Sequence, residues 1–250
     1  FLKKIKDIGS LIKVYSKELE KEVEIEKEVL RPLIKGNMLK RYSNLVSDEM
    51  VLFPYMKKEN KIVLMKEDEL KKYPNAYKYL KIFEKGLRKR EGGKFNNRNW
   101  YCFSRNQGLG YVNEMKILTP DICKRGESTV DRNGDLLTTT TVYGILPKNN
   151  ADFNYLLAIL NSNLLRYFIM KTGSILRGGF YRYKTAYLSP FPIKKIDNNI
   201  RKKFDVFVER RMKIKDEQQI KNVDYEINEE IYNLYGITKE EKRIIEESLK

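Results

Sequence analysis

The sequence predicts an α+β fold: a mixed β-sheet with packed helices, followed by a helical C-terminal tail. Three observations lead there. Short β-branched and aromatic runs, bounded by Gly, Pro and Asn, fill residues 51–65 and 94–147. Apolar residues recur at intervals of three and four in two inner stretches, 76–87 and 153–168. Beyond residue 196 the pattern is helical throughout.

Taken in order, residues 1–28 read as a linker or N-terminal segment. Leu2, Ile5, Ile8, Leu11 and Ile12 have helix-like spacing broken by Gly9-Ser10, and residues 17–28 form an acidic island that suits either a solvated helix or an alternating strand. The compact part opens at Leu30-Arg31-Pro32-Leu33-Ile34-Lys35-Gly36. Val51-Leu52-Phe53-Pro54-Tyr55 and Lys61-Ile62-Val63-Leu64-Met65 read as strands joined by a polar turn at 57–60. Pro74 suits the first position of a helix, where a missing N–H costs nothing. Ala76, Leu80, Phe83 and Leu87 form the apolar stripe of that helix. Lys78, Lys81, Lys85, Arg88 and Lys89 form its basic face, and Gly92-Gly93 ends it.

Residues 94–147 read as β-rich, with strands at Trp100-Tyr101-Cys102-Phe103, Met115-Lys116-Ile117-Leu118 and 136–146; Asn133-Gly134 favours a type I′ hairpin turn before the last. Asp152 is expected as the N-cap of a core helix carrying Phe153, Leu156, Leu157, Leu160, Leu164 and Phe168 on one face. Residues 173–183 make a Gly-rich, aromatic and basic loop, and Pro190-Phe191-Pro192-Ile193 extended chain. In the tail, Phe204, Phe207, Val208 and Met212 share a face, as do Ile227, Ile231 and Leu234. Gly236 is a stop, and Thr238 with Glu241 has capping-box spacing. The expected organisation is a linker at 1–28, a central domain at 29–195 and a helical tail at 196–250.

Composition narrows the function. Lys and Arg number 50 against 34 Asp and Glu, a formal charge of +16 with a pI near 9.5. Such a field draws polyanions, although an AT-rich genome also yields many Lys, Ile, Asn and Tyr. The 17 Tyr and 12% aromatic content belong to a folded chain. The absence of His excludes Ser-His and Cys-His nucleophile pairs and His-ligated zinc within this chain. Cys102 and Cys123 have neither metal-site spacing nor a disulfide framework, which points to reduced cytoplasm. The longest apolar-rich stretch, 155–170, is broken by Asn161, Ser162, Asn163 and Arg166, short of the roughly 18 residues of a membrane span. Phe1 is not a start methionine, so a fragment of a longer chain is expected. Gly92-Gly93-Lys94 is too short for a phosphate loop. Asp121 and Glu127 come nearest to a nuclease metal site but lack a close acidic-x-Lys pair. No catalytic residue, metal ligand or cofactor is therefore assigned to the chain.

Three basic clusters contain aromatic residues or turn signals. The first holds Arg88, Lys94, Arg98, Trp100, Tyr101, Arg105 and Gln107, mixing guanidinium groups suited to phosphate or guanine with amides suited to adenine. The second holds Arg177, Gly178, Gly179, Tyr181, Arg182 and Lys184, where two glycines let backbone approach a ligand. The third runs from Lys124 and Arg125 to Arg132 and Asn133, a polar hairpin arm of a kind that the DNA major groove admits. On this reading Arg88, Lys94, Arg177 and Lys184 meet phosphates. Arg105, Gln107, Arg182 and the 124–135 arm meet base edges. Each cluster also has a plain reading as a solvated turn, edge strand or hairpin.

Several segments together resemble one family. They are Leu30-Arg31-Pro32-Leu33-Ile34-Lys35-Gly36 with Leu39-Lys40-Arg41-Tyr42; Tyr73-Pro74-Asn75-Ala76-Tyr77-Lys78-Tyr79-Leu80; Trp100-Tyr101; and Lys116-Ile117-Leu118-Thr119-Pro120. Further along come Leu156-Leu157-Ala158-Ile159-Leu160-Asn161-Ser162, Tyr187-Leu188-Ser189-Pro190-Phe191-Pro192-Ile193, and the closing Ile231-Tyr232-Asn233-Leu234-Tyr235-Gly236-Ile237-Thr238. In this order they resemble the TaqI-like C-terminal specificity domain of adenine-specific DNA methyltransferases and of fused, Eco57I-like restriction-modification enzymes. The resemblance implies a target-recognition domain for double-stranded DNA, packed on a methyltransferase domain of the same polypeptide. That other domain would bind S-adenosylmethionine, flip an adenine out of the duplex and methylate it; some family members add a nuclease. The rival reading is a protein-interaction module of a defence complex.

Overall fold

The computed structural model describes residues 1–59, 61–105 and 108–250. In chain order the elements are β1 (Leu2–Ile8), β2 (Leu11–Ser16), β3 (Lys21–Glu26), β4 (Leu30–Ile34), β5 (Glu49–Leu52), β6 (Tyr55–Lys58), β7 (Lys61–Leu64), α1 (Glu67–Leu70) and α2 (Pro74–Gly93). Next come β8 (Lys116–Pro120), β9 (Ile122–Cys123), β10 (Thr129–Asp131), β11 (Leu137–Thr138), β12 (Val142–Ile145), α3 (Phe153–Leu160) and α4 (Asn163–Thr172). The chain closes with β13 (Ile175–Leu176), β14 (Phe180–Arg182), α5 (Thr185–Leu188), α6 (Asn198–Lys213), α7 (Glu217–Tyr235) and α8 (Lys239–Ser248). The fold is α+β. It divides into two compact units: residues 1–34, 46–114 and 133–137 form the first; residues 35–45, 115–132 and 138–250 form the second.

That division replaces the expected linker, domain and tail. Residues 1–28 are not a linker. They supply three strands to a sheet of order β11-β4-β5-β1-β2-β3. Gly9-Ser10, which interrupts the helix-like spacing, is a two-residue hairpin loop: Ile8 faces Leu11, and Gly9 has φ +57°, the left-handed first position that such a loop needs. β2 alternates, with Ile12, Val14 and Ser16 buried, the pattern of a sheet with one face on a core. The acidic island is strand rather than solvated helix, and its Glu26 is buried. The Glu26 carboxylate accepts the backbone N–H groups of Asn75 and Ala76, both at 2.9 Å. It thereby satisfies two donors that the first turn of α2 leaves open and opposes the positive helix end. The core beneath holds Val14, Ile25, Leu30, Met50, Leu70, Ala76, Leu80 and Trp100.

Trp100–Phe103 is not a strand. The segment turns, because side chains meet its backbone in place of a ladder. Arg90 Nη2 donates to the carbonyls of Trp100 (2.8 Å) and Cys102 (2.9 Å), and Phe103 N–H donates to Tyr55 Oη at 2.7 Å. α2 leaves helical geometry before its glycines, at Arg90 (ψ 143°), with Glu91 at φ 49°. Of the expected 57–60 turn, Asn60 lies outside the described residues; β6 and β7 form the flanking hairpin.

In the second unit β8 is central, with β10 and β12 on its two edges. The expected hairpin across Asn133-Gly134 therefore does not form: the strand that would return beside β10 pairs with the opposite edge of β8. Gly134 has φ +74° and lies against backbone, since a Cβ there would stand 2.5 Å from the Asn113 carbonyl carbon. The expected single core helix is two, α3 and α4, broken at Asn161-Ser162, where Ser162 Oγ accepts from Leu165 N–H at 3.1 Å as N-cap of α4. Asp152 stands at the expected N-cap position of α3 but makes no side-chain capping bond; its carboxylate pairs with Arg201 at 2.9 Å. The helical tail is no separate body either. Phe204, Val208, Val223, Ile227, Ile231 and Ile245 are buried in one core with Leu157, Leu165 and Ile169. Gly236 ends α7 in the left-handed region, and Thr238 with Glu241 forms the expected capping box.

Candidate nucleic-acid interface

The second unit gathers most of two basic clusters on a three-stranded ribbon, β13-β14-β9. Leu176 faces Phe180 across the hairpin, and Tyr181 and Arg182 face Cys123 and Ile122 on the other side. Residues opposite one another share a face, and successive residues alternate. One face carries Tyr181 and Cys123 and turns inward with Tyr183, which is fully buried. The other carries Leu176, Phe180, Arg182 and Ile122, and Lys124 Nζ lies 5.2 Å from the Phe180 ring centroid. Of the aromatic residues on β14, the solvent-side ring is thus Phe180; Tyr181 packs against the core.

Arg177, Gly178 and Gly179 form the hairpin tip. Both glycines have positive φ, 82° and 75°, a conformation that needs glycine in a three-residue loop. Arg177 is exposed and has no hydrogen-bond or carboxylate partner among the described residues. Arg182 Nη1 is 3.2 Å from Asp121 Oδ2, Lys184 Nζ is 5.1 Å from the Tyr187 ring, and Arg125 is 3.3 Å from Glu127. Arg132 is not brought to the ribbon. It follows β10, and its Nη2 is 3.7 Å from Met212 Sδ. Nor is 124–133 a free arm: Gly126, Ser128, Thr129, Val130 and Asp131 are buried. Asp131 pairs with buried Lys116 at 2.7 Å, and the Asn161 amide makes two 2.9 Å bonds to the backbone of Ser128.

Beside the ribbon runs a groove of about 560 Å³, lined among others by Gly36, Asn37, Cys123, Lys124, Arg125, Glu127, Arg166 and Phe180. Between the lining residues Arg125 and Glu127, Gly126 packs against α3, where a Cβ would stand 2.2 Å from the Leu160 carbonyl oxygen. Burial pushes the Cys123 thiol up to about 12, so at neutral pH it is a neutral wall and not a nucleophile. Asp121 and Glu127 are engaged by arginines, and no trio of Cys, Asp or Glu suited to a metal ion occurs among the described residues.

In the first unit the predicted cluster is split: Arg88, Trp100 and Tyr101 are engaged in the fold, and the other described cations are exposed. Arg88 donates twice to Glu84 (2.7 and 2.8 Å) and once to the Asn97 carbonyl (2.8 Å), with its guanidinium 5.5 Å from the Trp100 ring. Arg90 lies 4.4 Å from the Phe95 ring. Lys94, 3.7 Å from Glu91, and Arg98 and Arg105 are exposed; Gln107 lies outside the described residues. Sequence reasoning missed Arg166, treated only as a break in an apolar stretch. A cation among Leu164, Leu165, Phe168 and Ile169 was the available signal.

Among the described residues no helix is long and apolar enough to cross a membrane. Fold and ribbon together define an α+β domain that presents exposed cations on a short antiparallel sheet. The family model of the TaqI-like C-terminal specificity domain matches residues 31–193, and the chain belongs to that family. RM.Eco57I of Escherichia coli, a type II restriction enzyme and methyltransferase, is 28% identical over 192 residues, covering 70% of this chain and 19% of that protein. The type II methyltransferase M.BstVI of Geobacillus stearothermophilus is 25% identical over 231 residues, 91% of this chain and 38% of that protein. The chain thus spans well under half the length of either. The type IIL restriction-modification enzyme MmeI, solved in complex with DNA, superposes with a TM-score of 0.58 at 12% identity over 85% of this chain and 29% of that one, a likeness of fold.

Proposed function

We propose that this chain is the part of a restriction-modification methyltransferase that reads the target sequence in double-stranded DNA. The observation that carries the reading is the β13-β14-β9 ribbon of a specificity-domain family member. Its tip arginine has no partner among the described residues, and Phe180, Lys124 and Arg182 stand on its solvent face. The β13-β14 hairpin that carries the tip is a two-stranded ribbon of the kind that the major groove admits. In this reading Arg177 and Lys184 meet phosphates and set register, Arg182 meets a base edge, and Lys94, Arg98 and Arg105 of the first unit add contacts of their own. Arg88 is left out, because Glu84 and a carbonyl already take three of its five N–H donors.

The chemistry belongs to a methyltransferase domain beyond this chain, which transfers a methyl group from S-adenosylmethionine to adenine N6 of a flipped base. The Gly178-Gly179 pair does not fit that cofactor: it lies at a hairpin tip, not at a strand-to-helix turn where backbone N–H groups cradle a nucleotide. The place of action is the cytoplasm, with the host's own DNA.

The test is the salt dependence of duplex binding by the purified protein. If about six phosphates are neutralised, affinity falls roughly 10³-fold between about 50 and 200 mM salt. A binding constant independent of salt, or no binding, defeats the reading.

A further inference from the structure

Arg166 projects from α4 into the wall of the groove, half-buried. Its Nε is shielded from solvent without an acceptor, and no carboxylate, carbonyl or hydroxyl among the described residues takes a hydrogen bond from its guanidinium. Other arginines packed into this unit are compensated: Arg41 by Asp224 (3.4 Å) and the Asn161 carbonyl (2.5 Å), Arg211 by Asp224 (2.7 Å), Arg201 by Asp152 (2.9 Å). A partly desolvated cation without a partner is costly, so a fold that keeps one usually has an anion for it. Two more cations, Lys124 and Arg125, line the same groove; Glu127, the one carboxylate there, lies on Arg125. The Asn37 amide and the Phe180 ring complete the wall.

We propose that this groove seats one phosphodiester of the bound DNA strand, with Arg166 as its main ligand, Lys124 and Arg125 at the mouth and Phe180 against the adjoining sugar or base. The inference rests on the DNA-reading function above and adds an anchor point to it. A phosphate oxygen accepts from guanidinium in a fork that a lysine ammonium cannot reproduce. α4 is locked by the buried Leu165 and Ile169 on either side, so the guanidinium is held before the strand arrives. Free phosphate has the same chemistry but none of the neighbouring sugar and base for Phe180 to meet.

The test uses the purified wild-type protein, Arg166→Met and Arg166→Lys with duplexes in which single phosphates are replaced by neutral methylphosphonates. In wild type, one position in the scan weakens binding by roughly tenfold or more, the range of a hydrogen bond to a charged group. In Arg166→Met, binding to the unmodified duplex drops by the same factor, the salt slope shrinks by about 0.9, and that position becomes silent. Arg166→Lys recovers only part. The melting temperature of Arg166→Met stays level or rises, since an uncompensated cation is removed; a structural arginine would lower it. If wild type binds with a normal salt slope and Arg166→Met matches it at every position, the groove is not a phosphate seat while the DNA reading stands. If wild type binds no duplex, both fall. If inorganic phosphate protects the wild type against heat as strongly as duplex does and no scanned position couples to Arg166, the groove takes a free anion and the proposal is overturned.

Discussion

Residues 88–105 and 177–187 are both rich in arginine, lysine and aromatic rings, and the fold uses them in opposite ways. In the first stretch Arg88 and Arg90 turn inward, while Arg98 and Arg105 stay exposed. Arg88 is held by Glu84 and the Asn97 carbonyl under the Trp100 indole, and Arg90 bonds three backbone carbonyls. In the second, the arginines sit on a hairpin whose backbone is already paired, and among the described residues Arg177 has no partner, which leaves it to solvent or a ligand. Composition is therefore a poor guide to a binding surface. What separates the two is the backbone: where a segment does not enter a sheet, its carbonyls need donors, and nearby arginines supply them.

The largest effect expected from that contrast is on stability. Arg90→Met strips donors from the carbonyls of Leu87, Trp100 and Cys102 and should cost roughly 2–4 kcal/mol, read by urea unfolding, while duplex affinity of the folded protein stays unchanged. A destabilisation under about 0.5 kcal/mol, the ordinary range of a surface substitution, would place Arg90 with the surface cations. Next comes the reverse case. Arg177→Glu with Lys184→Glu should weaken duplex binding by on the order of 100-fold at moderate salt, by losing two phosphate contacts and adding repulsion, with little change in unfolding free energy. If instead a protein partner is lost and DNA binding persists, the interface belongs to a partner protein.

The parts of this architecture that were legible in the sequence are those governed by local rules. α2 and its Pro74 start, the α3–α4 apolar face, the Gly236 stop and the Thr238–Glu241 box all rest on periodicity or on groups within four residues. The failures are non-local. Nothing near Glu26 indicates that it caps a helix 49 residues on, so an acidic strand looked like solvated linker. Asn133-Gly134 has hairpin chemistry, but β8 offers both edges to β10 and β12 and separates the strands the turn would join. The strand reading of Trp100–Phe103 failed because its propensities were right for burial and silent about Arg90. The basic clusters were visible; which of their side chains face outward was not, since that depends on the parity of β14, which puts Phe180 and Arg182 out and Tyr181 in.

The smallest expected effect concerns pH, and it tests how Arg88 is kept from solvent. Hydrogen bonds from Lys81 and then Arg88 hold the Glu84 carboxyl below its ordinary 4.5. A carboxyl whose folded value is depressed contributes stability that is fully present above its unfolded value and is lost as pH falls through the folded one. Wild type should therefore lose, below about pH 4.5, a contribution that Glu84→Gln lacks at every pH. Urea melts from pH 7 down to 3 should show the variant less stable at neutrality by no more than about 0.5 kcal/mol, as expected of an i,i+4 pair, with the two curves converging in acid. Parallel curves would mean that the Asn97 carbonyl and the Trp100 ring hold Arg88 without the carboxylate, and Glu84→Gln would then leave its guanidinium no more available to DNA than before.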